Sequence, residues 1–333
     1  MGKLAFVLPN WATLTRDELI FYANLGEKLG YDTIWVPETW GNDAFTLMAT
    51  ILENTSNIKA ASGIISTFSR SAASIAQSIA TIDTFSGGRA ILGLGPSTNI
   101  VNENWHGMKH ERALRRTREY VEIIRMVLSG ERVNHEGELI KLRNMKFQSK
   151  PIRRNIPVYL ASLGPKNLKL TGELADGWLP FLCPEGHIVK LGEFIKDSAV
   201  KAGRSMEDIT VCPYVPALLS ARDPGEADFK IKEFISFYVG AMGPHYYDLV
   251  SSYGFGEDAV NIREAWNNKD LEKCTNSVSN ELLELVAVRG NAESAEAKLD
   301  SYRNVSDCPI LMFPFKSTKD QIVETLETLA PGG

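Results

Sequence analysis

Glu38 closes the apolar run Thr33–Glu38. A carboxylate at the end of a buried strand can bind a ligand, or act as acid or base when burial raises its pKa. A second chemical signal is Ser86–Pro96, Ser-Gly-Gly-Arg-Ala-Ile-Leu-Gly-Leu-Gly-Pro. It ends a helix, turns on two glycines, runs as a short apolar strand and stops in another glycine-rich turn. Gly93 and Gly95 remove side chains where something large and flat would approach the backbone. A third signal is Gly164-Pro165-Lys166. Pro165 suits the first position of a helix, so that helix opens with free N–H groups, and Lys166 adds a positive charge. A phosphate or phosphodiester is the natural ligand there.

Other chemistries are weaker. Gly93 and Gly95 supply half of a dinucleotide-binding Gly-x-Gly-x-x-Gly turn, but the third place is Thr98. Polar Asn99, Asn102, Glu103 and Asn104 then follow where an apolar helix should begin. Cys183, Cys212, Cys274 and Cys308 form no Cys-x-x-Cys pair, which argues against zinc and thioredoxin-like chemistry. No metal site is expected. Scattered cysteines fit a reducing cytosol, so the expectation is a cytoplasmic protein. Of five histidines, His106 and His245 (with Tyr246 and Tyr247) are the ones that could face a site; His110, His135 and His187 carry no motif.

A net charge of −5 and a pI near 5.7 argue against a nucleic-acid partner. Arg112, Arg115, Arg116 and Arg118 cluster, but Glu111, Glu119 and Glu122 interleave with them, which reads as a solvated face or a subunit contact. No apolar run approaches the roughly 20 residues that a membrane span needs. Met1-Gly2-Lys3 leads straight into a strand without a signal-peptide pattern.

Periodicity then supplies the elements that would position these residues. Strands are expected at Leu4–Pro9, Thr33–Glu38, Ile58–Ile65, Ala90–Gly95, Pro157–Ser162, Gly177–Phe181, Ile209–Ser220 and Ile310–Phe315. Helices are expected from the capping box Thr15-x-x-Glu18 to Gly30, and over Asp43–Asn54, Ser74–Phe85, Glu111–Leu128, Pro165–Ala175 and Glu185–Ala202. A last helix follows Thr318-x-x-Gln321. Arg132–Lys150 reads as a hairpin around Glu136-Gly137, between the fourth and fifth strands. Residues 221–309 read as a mostly helical insertion over one mouth, within a single domain spanning 1–333. Short, wholly apolar strands alternating with helices imply a parallel sheet buried on both faces. Closed on itself, that sheet is an α/β TIM-type (β/α)8 barrel, with its site at the C-terminal strand ends. Trp11 and Trp40 then stand where they would wall the cleft.

Several strand ends carry a recognisable set. Gly30–Glu38, Ala61–Ser66, Ser86–Gly95, Ala161–Lys166 and Ala175–Trp178 resemble, in order, the strand signatures of the bacterial luciferase-like superfamily. Gly95-Pro96-Ser97, Trp105-His106-Gly107 and Tyr238–Gly243 look most like its deazaflavin branch, which includes methylenetetrahydromethanopterin reductase. The resemblance implies an oxidoreductase using coenzyme F420 as hydride carrier for a small-molecule substrate, and a homodimer. The alternatives are an FMN-dependent monooxygenase, which would need a flavin reductase as partner, and a non-catalytic flavin-binding protein.

The resemblance also implies residue roles. Gly63-Ile64 becomes a non-prolyl cis peptide forming a bulge behind the central ring of the cofactor. Asn99 meets the polar edge of that ring, since an amide both donates and accepts. Ser66 and Ser162 are similar candidates, Gly164 and Lys166 take the phosphate, and Thr39 joins the cofactor-binding set. Glu38 is the candidate catalytic residue. The sugar-phosphate and alcohol dehydrogenases of the branch carry a histidine base where this chain has Thr39, and the former a glutamate where it has Pro96. Reduction of a C=C, C=N or pterin-linked methylene is therefore expected over alcohol oxidation.

Overall fold

A computed structural model describes residues 2–10 and 12–331; Trp11, expected at the cleft wall, lies outside the described residues. The chain opens with β1 (Ala5–Val7), α1 (Arg16–Lys28), β2 (Thr33–Val36), α2 (Ala44–Glu53), β3 (Lys59–Ser62), β4 (Ile65–Ser66), α3 (Ala72–Phe85) and β5 (Ala90–Gly95). A π-helical segment, Val101–Trp105, leads into α4 (Ala113–Ser129). Then follow β6 (Arg132–Glu136), β7 (Lys141–Lys146), β8 (Val158–Leu160), α5 (Pro165–Leu174), β9 (Gly177–Trp178), α6 (Glu185–Lys201), β10 (Thr210–Val211) and β11 (Tyr214–Pro216). Six helices come next: α7 (Pro224–Ala241), α8 (Pro244–Ser252), α9 (Gly256–Asn267), α10 (Leu271–Asn276), α11 (Asn280–Val286) and α12 (Ala292–Arg303). The chain ends with β12 (Ile310–Met312) and α13 (Lys319–Thr328).

The main sheet runs β10-β9-β8-β5-β3-β2-β1-β12-β11, every pairing parallel, with β4 added on β5. This is the α/β barrel architecture expected. The two ends of the path, β10 and β11, are halves of one chain segment. Pro213 has no N–H to give the ladder, so the expected strand Ile209–Ser220 breaks there. Its first half pairs with β9 and its second with β12, and a bridge from Phe181 to Tyr214 joins the two edges. The expected third strand also breaks, into β3 and β4, at a cis Gly63–Ile64 peptide.

That second break is repaired by a side chain. Ala60 and Ala61 pair with Ala90 and Ile91, and Ile65 pairs with Leu94. Between them the Ser62 hydroxyl donates to the Gly93 carbonyl (2.9 Å) and accepts from the Gly93 N–H (3.0 Å). A Cβ on Gly93 would collide with the Ser62 carbonyl oxygen, and one on Gly95 would lie 2.5 Å from Ile64 Cδ1. Below the break Trp35, Tyr159 and Tyr214 fill the barrel, with ring centroids 5.7 Å and 5.9 Å from Trp35. Gly63 and Gly177 make their room: a Cβ on the first would meet the Tyr214 hydroxyl, and on the second the Tyr159 ring.

The other half of the Ser86–Pro96 signature works at the opposite end. Gly87 and Gly88 turn with φ of +70° and +91°, the left-handed region open to glycine. Arg89 then donates to the Leu52, Thr55 and Ile58 carbonyls, capping the end of α2. The hairpin β6–β7 is tied to α4 by Glu119, which has no exposed surface. Its carboxylate accepts from Arg115 Nε (2.8 Å) and from the N–H groups of Glu138, Leu139 and Ile140.

Two expectations follow. Burial pushes the Glu119 pKa up, but Arg115 and the backbone donors outweigh it and hold it below the ordinary value. Its stabilisation is therefore complete above the unfolded pKa of about 4.3 and lost as pH falls through the lower folded value. Glu119→Leu leaves those N–H groups buried without acceptors. It should lower unfolding free energy by about 1–3 kcal/mol, read by urea titration, with faster hydrogen exchange at 138–140. Gly93→Ala sets a Cβ against the Ser62 backbone carbonyl oxygen and should cost about 3 kcal/mol or more, beyond ordinary overpacking. Gly164→Ala, whose Cβ would meet nothing within 4 Å, should leave the urea midpoint nearly unmoved.

Candidate active site

The parallel strands aim their C-terminal ends at one mouth, and the loops leaving them carry the candidates. Glu38 follows β2. Its carboxylate is gripped by Arg70, through Nη1 to Oε1 and through Nη2 to Oε2 at 2.9 Å, and also accepts the Ala44 N–H at 3.0 Å. Arg70 reaches Asp43 as well, the residue capping α2. The Glu38 hydrogen bond is the main reason the guanidinium pKa lies above its ordinary value. Glu38 is thus a clamped anion rather than an open one. Thr39 is half-buried beside it, and Trp40 is exposed. Arg70 carried no sequence signal; its partner is 32 residues away and only folding brings them together.

The cis Gly63–Ile64 peptide stands at the end of β3, with Ile64 against Gly95 of β5. Ser66 ends β4. Its hydroxyl accepts the Phe68 N–H (3.1 Å) and donates to Asn102 Oδ1 (3.0 Å). Asn102, in the π-helical segment, has no exposed surface. Its Nδ2 lies 2.7 Å from the Pro96 carbonyl and 2.7 Å from His110 Nδ1. The His110 ring stacks on Phe68 at 5.1 Å. Burial pushes the His110 pKa below its ordinary value; Glu103 works against that shift and His245 with it.

Asn99 lies exposed at the start of the helical segment after β5. Ser162 is buried, and its hydroxyl meets Thr171 Oγ1 of α5 at 2.8 Å. The Ser162 carbonyl accepts the Trp178 indole N–H, so this residue joins β8, α5 and β9. Gly164 sits at the N-cap of α5 with open space around it and no side-chain cap, and Lys166 is exposed one residue beyond Pro165.

The helices after β11 bring aromatic side chains to the mouth. Phe181, Phe234, Tyr238 and Tyr246 pack edge to face, with centroids 4.6–6.0 Å apart. Burial raises the pKa of Tyr214, Tyr238 and Tyr246, so these phenols stay neutral donors at pH 7. Among the described residues, the Tyr214 hydroxyl and the Trp35 indole N–H are buried without a hydrogen-bond partner. Cys183, after β9, is no nucleophile, because burial pushes its thiol up to about 12. Among the described residues no group of three His, Cys, Asp or Glu could hold a metal ion, and no helix is long and apolar enough to cross a membrane.

Sequence reasoning placed the glycines, Ile64 and Ser66 at this mouth but missed Arg70 and the Asn102–His110 pair. Among the described residues His106, the histidine singled out near this loop, makes no contact of that kind; its backbone N–H caps the π-helical segment.

Comparison with known proteins agrees with this geometry. The chain is 32% identical over 289 residues to 5,10-methylenetetrahydromethanopterin reductase of Archaeoglobus fulgidus, covering 85% of each chain. It is 30% identical over 213 residues to F420-dependent glucose-6-phosphate dehydrogenase of Amycolatopsis mediterranei, covering 58% of this chain and 62% of the relative. Its fold matches the coenzyme F420-dependent tetrahydromethanopterin reductase of Methanopyrus kandleri with a TM-score of 0.85, at 22% identity and over 99% and 98% of the two chains. The luciferase-like monooxygenase family model matches residues 8–307, and the chain belongs to that family.

Proposed function

We propose that this chain is a coenzyme F420-dependent oxidoreductase that reduces a C=C, C=N or pterin-linked methylene. The observation that carries the reading is the side-chain-free floor at the barrel mouth, where Ser62 closes on Gly93 and Ile64 on Gly95. It is supported by F420-dependent enzymes among the relatives on both sequence and fold. The residues present fit such a group. Ile64 and the bulge offer an apolar floor, Asn99 an exposed amide, and the uncapped start of α5 with Lys166 a place for a phosphodiester. When bound, the deazaflavin supplies a two-electron hydride transfer, and the protein supplies orientation and electrostatics.

The side chains at the mouth also favour reduction. Oxidising an alcohol requires a base for the hydroxyl proton. Both Glu38 oxygens are held by Arg70 and one also by Ala44, and Thr39 has no basic atom. The neutral phenols Tyr238 and Tyr246 are donors, suited to orienting an acceptor atom beside the aromatic wall. We read Glu38 as a positioning residue that sets Arg70 and the start of α2.

Two measurements test this. Purified protein should oxidise reduced F420, read from its visible absorbance, when given a methylene-tetrahydropterin, imine or enone acceptor. It should leave oxidised F420 unchanged with 2-propanol or glucose 6-phosphate. Tight FMN binding with oxygen uptake, and no F420 binding, would sink the reading in favour of a monooxygenase. Glu38→Gln, which loses one charge-assisted bond to Arg70, should lower unfolding free energy by about 1.5–3 kcal/mol, while the pH profile of kcat keeps its shape. Loss of one limb of that profile would instead make Glu38 a proton-transfer group.

A further inference from the structure

We propose that His110 is locked in its neutral Nε2–H form as a hydrogen-bond donor for an acceptor oxygen of the ligand bound in the cleft. The lock is Asn102. The Pro96 carbonyl can only accept, so the end of the amide facing it at 2.7 Å is the NH2 group. The second hydrogen of that group meets His110 Nδ1, also at 2.7 Å. The Ser66 hydroxyl accepts the Phe68 N–H, which leaves its own hydrogen for Asn102 Oδ1. Turning the amide over would set its oxygen against the Pro96 oxygen and its NH2 against the Ser66 hydrogen. Because Asn102 is fully buried, no water replaces those bonds, and the amide has one orientation.

His110 Nδ1 is therefore an acceptor, and the ring hydrogen sits on Nε2. Protonating Nδ1 would bring two N–H donors face to face, so the same geometry disfavours the imidazolium. The charged groups around the ring are few. Glu103 accepts the His110 backbone N–H at 3.1 Å. Arg116 lies over the Phe68 ring at 4.5 Å, and Lys109 pairs with Glu111. From the insertion, His245 stands on the first turn of α8. A neutral imidazole N–H donates to a carbonyl, carboxylate or phosphate oxygen but delivers no proton at pH 7. Its part is orientation. Ser66, the far end of this chain of bonds, stands two residues past the cis peptide, so the donor is braced by the strand that forms the bulge. The ligand half of the proposal rests on the cofactor reading above; the tautomer half does not.

Nitrogen-15 NMR of histidine-labelled, ligand-free protein reads the tautomer directly, with His110→Phe identifying the signal while keeping a ring on Phe68. The expected pattern is neutral Nε2–H that persists below pH of about 6.5, the ordinary histidine value. A neutral Nδ1–H form, or an imidazolium at pH 7, overturns the proposal. Asn102→Asp replaces the donor with an acceptor and should move the His110 titration upward; an unmoved titration overturns the lock. Titration with oxidised F420 should show His110→Phe binding about tenfold more weakly than the unaltered protein. Equal affinities overturn the ligand half. An unaltered protein that binds no F420 while keeping the Nε2–H signature sinks the cofactor reading and the ligand half together, and leaves the locked tautomer standing.

Discussion

The structure turns on one close backbone approach, between the end of β3 and the middle of β5. Gly93 lies so near the Ser62 carbonyl that no other residue fits there. The Ser62 hydroxyl bridges both Gly93 backbone groups where the ladder is interrupted. This lets the chain leave β3, turn through the cis Gly63–Ile64 peptide and rejoin β5 as β4 two residues later. Ile64 is then carried onto Gly95, and Ser66 onto Asn102. The floor of the mouth and the polar network beside it both descend from that contact. Close packing leaves little slack in such an arrangement, because interiors are dense and one carbon is felt.

Charge is divided in a consistent way. The buried carboxylates are committed to structure: Glu38 to Arg70, Asp83 to Arg153 and Glu119 to the hairpin backbone. The side chains that the helices after β11 bring to the mouth, Tyr238 and Tyr246 beside Phe181, are neutral and aromatic. Such a wall suits a large flat ring and an uncharged acceptor better than a substrate that must lose a proton. The start of α5 has no side-chain cap, and Lys166 is exposed beside it.

Much of this was legible in the sequence. The strand Ala90–Gly95 has the expected bounds, and the capping boxes at Thr15 and Thr318 start helices where expected. These signals are local: a cap satisfies N–H groups three residues away, and an apolar run buried on both faces needs no partner to be recognised. The strand breaks at Gly63–Ile64 and Pro213 shortened two expected strands. The π-helical segment Val101–Trp105 was unreadable, because it buries only Val101 and the Asn102 amide and shows no apolar periodicity.

The sequence by itself determined the alternation of short apolar strands with capped helices, the glycines at the strand ends and the family signatures. The first two follow from backbone propensity and periodicity within a few residues, and the signatures from resemblance to a known family. Only the tertiary structure decided which polar groups are spent and which are open. Arg70 meets Glu38 across 32 positions, and Ser66 meets Asn102 across 36. Whether a carboxylate is a base or a clamp, and which nitrogen of His110 carries its hydrogen, depends on partners that only folding brings within hydrogen-bond reach. Sequence supplies the donors and acceptors; the closed barrel assigns them to one another.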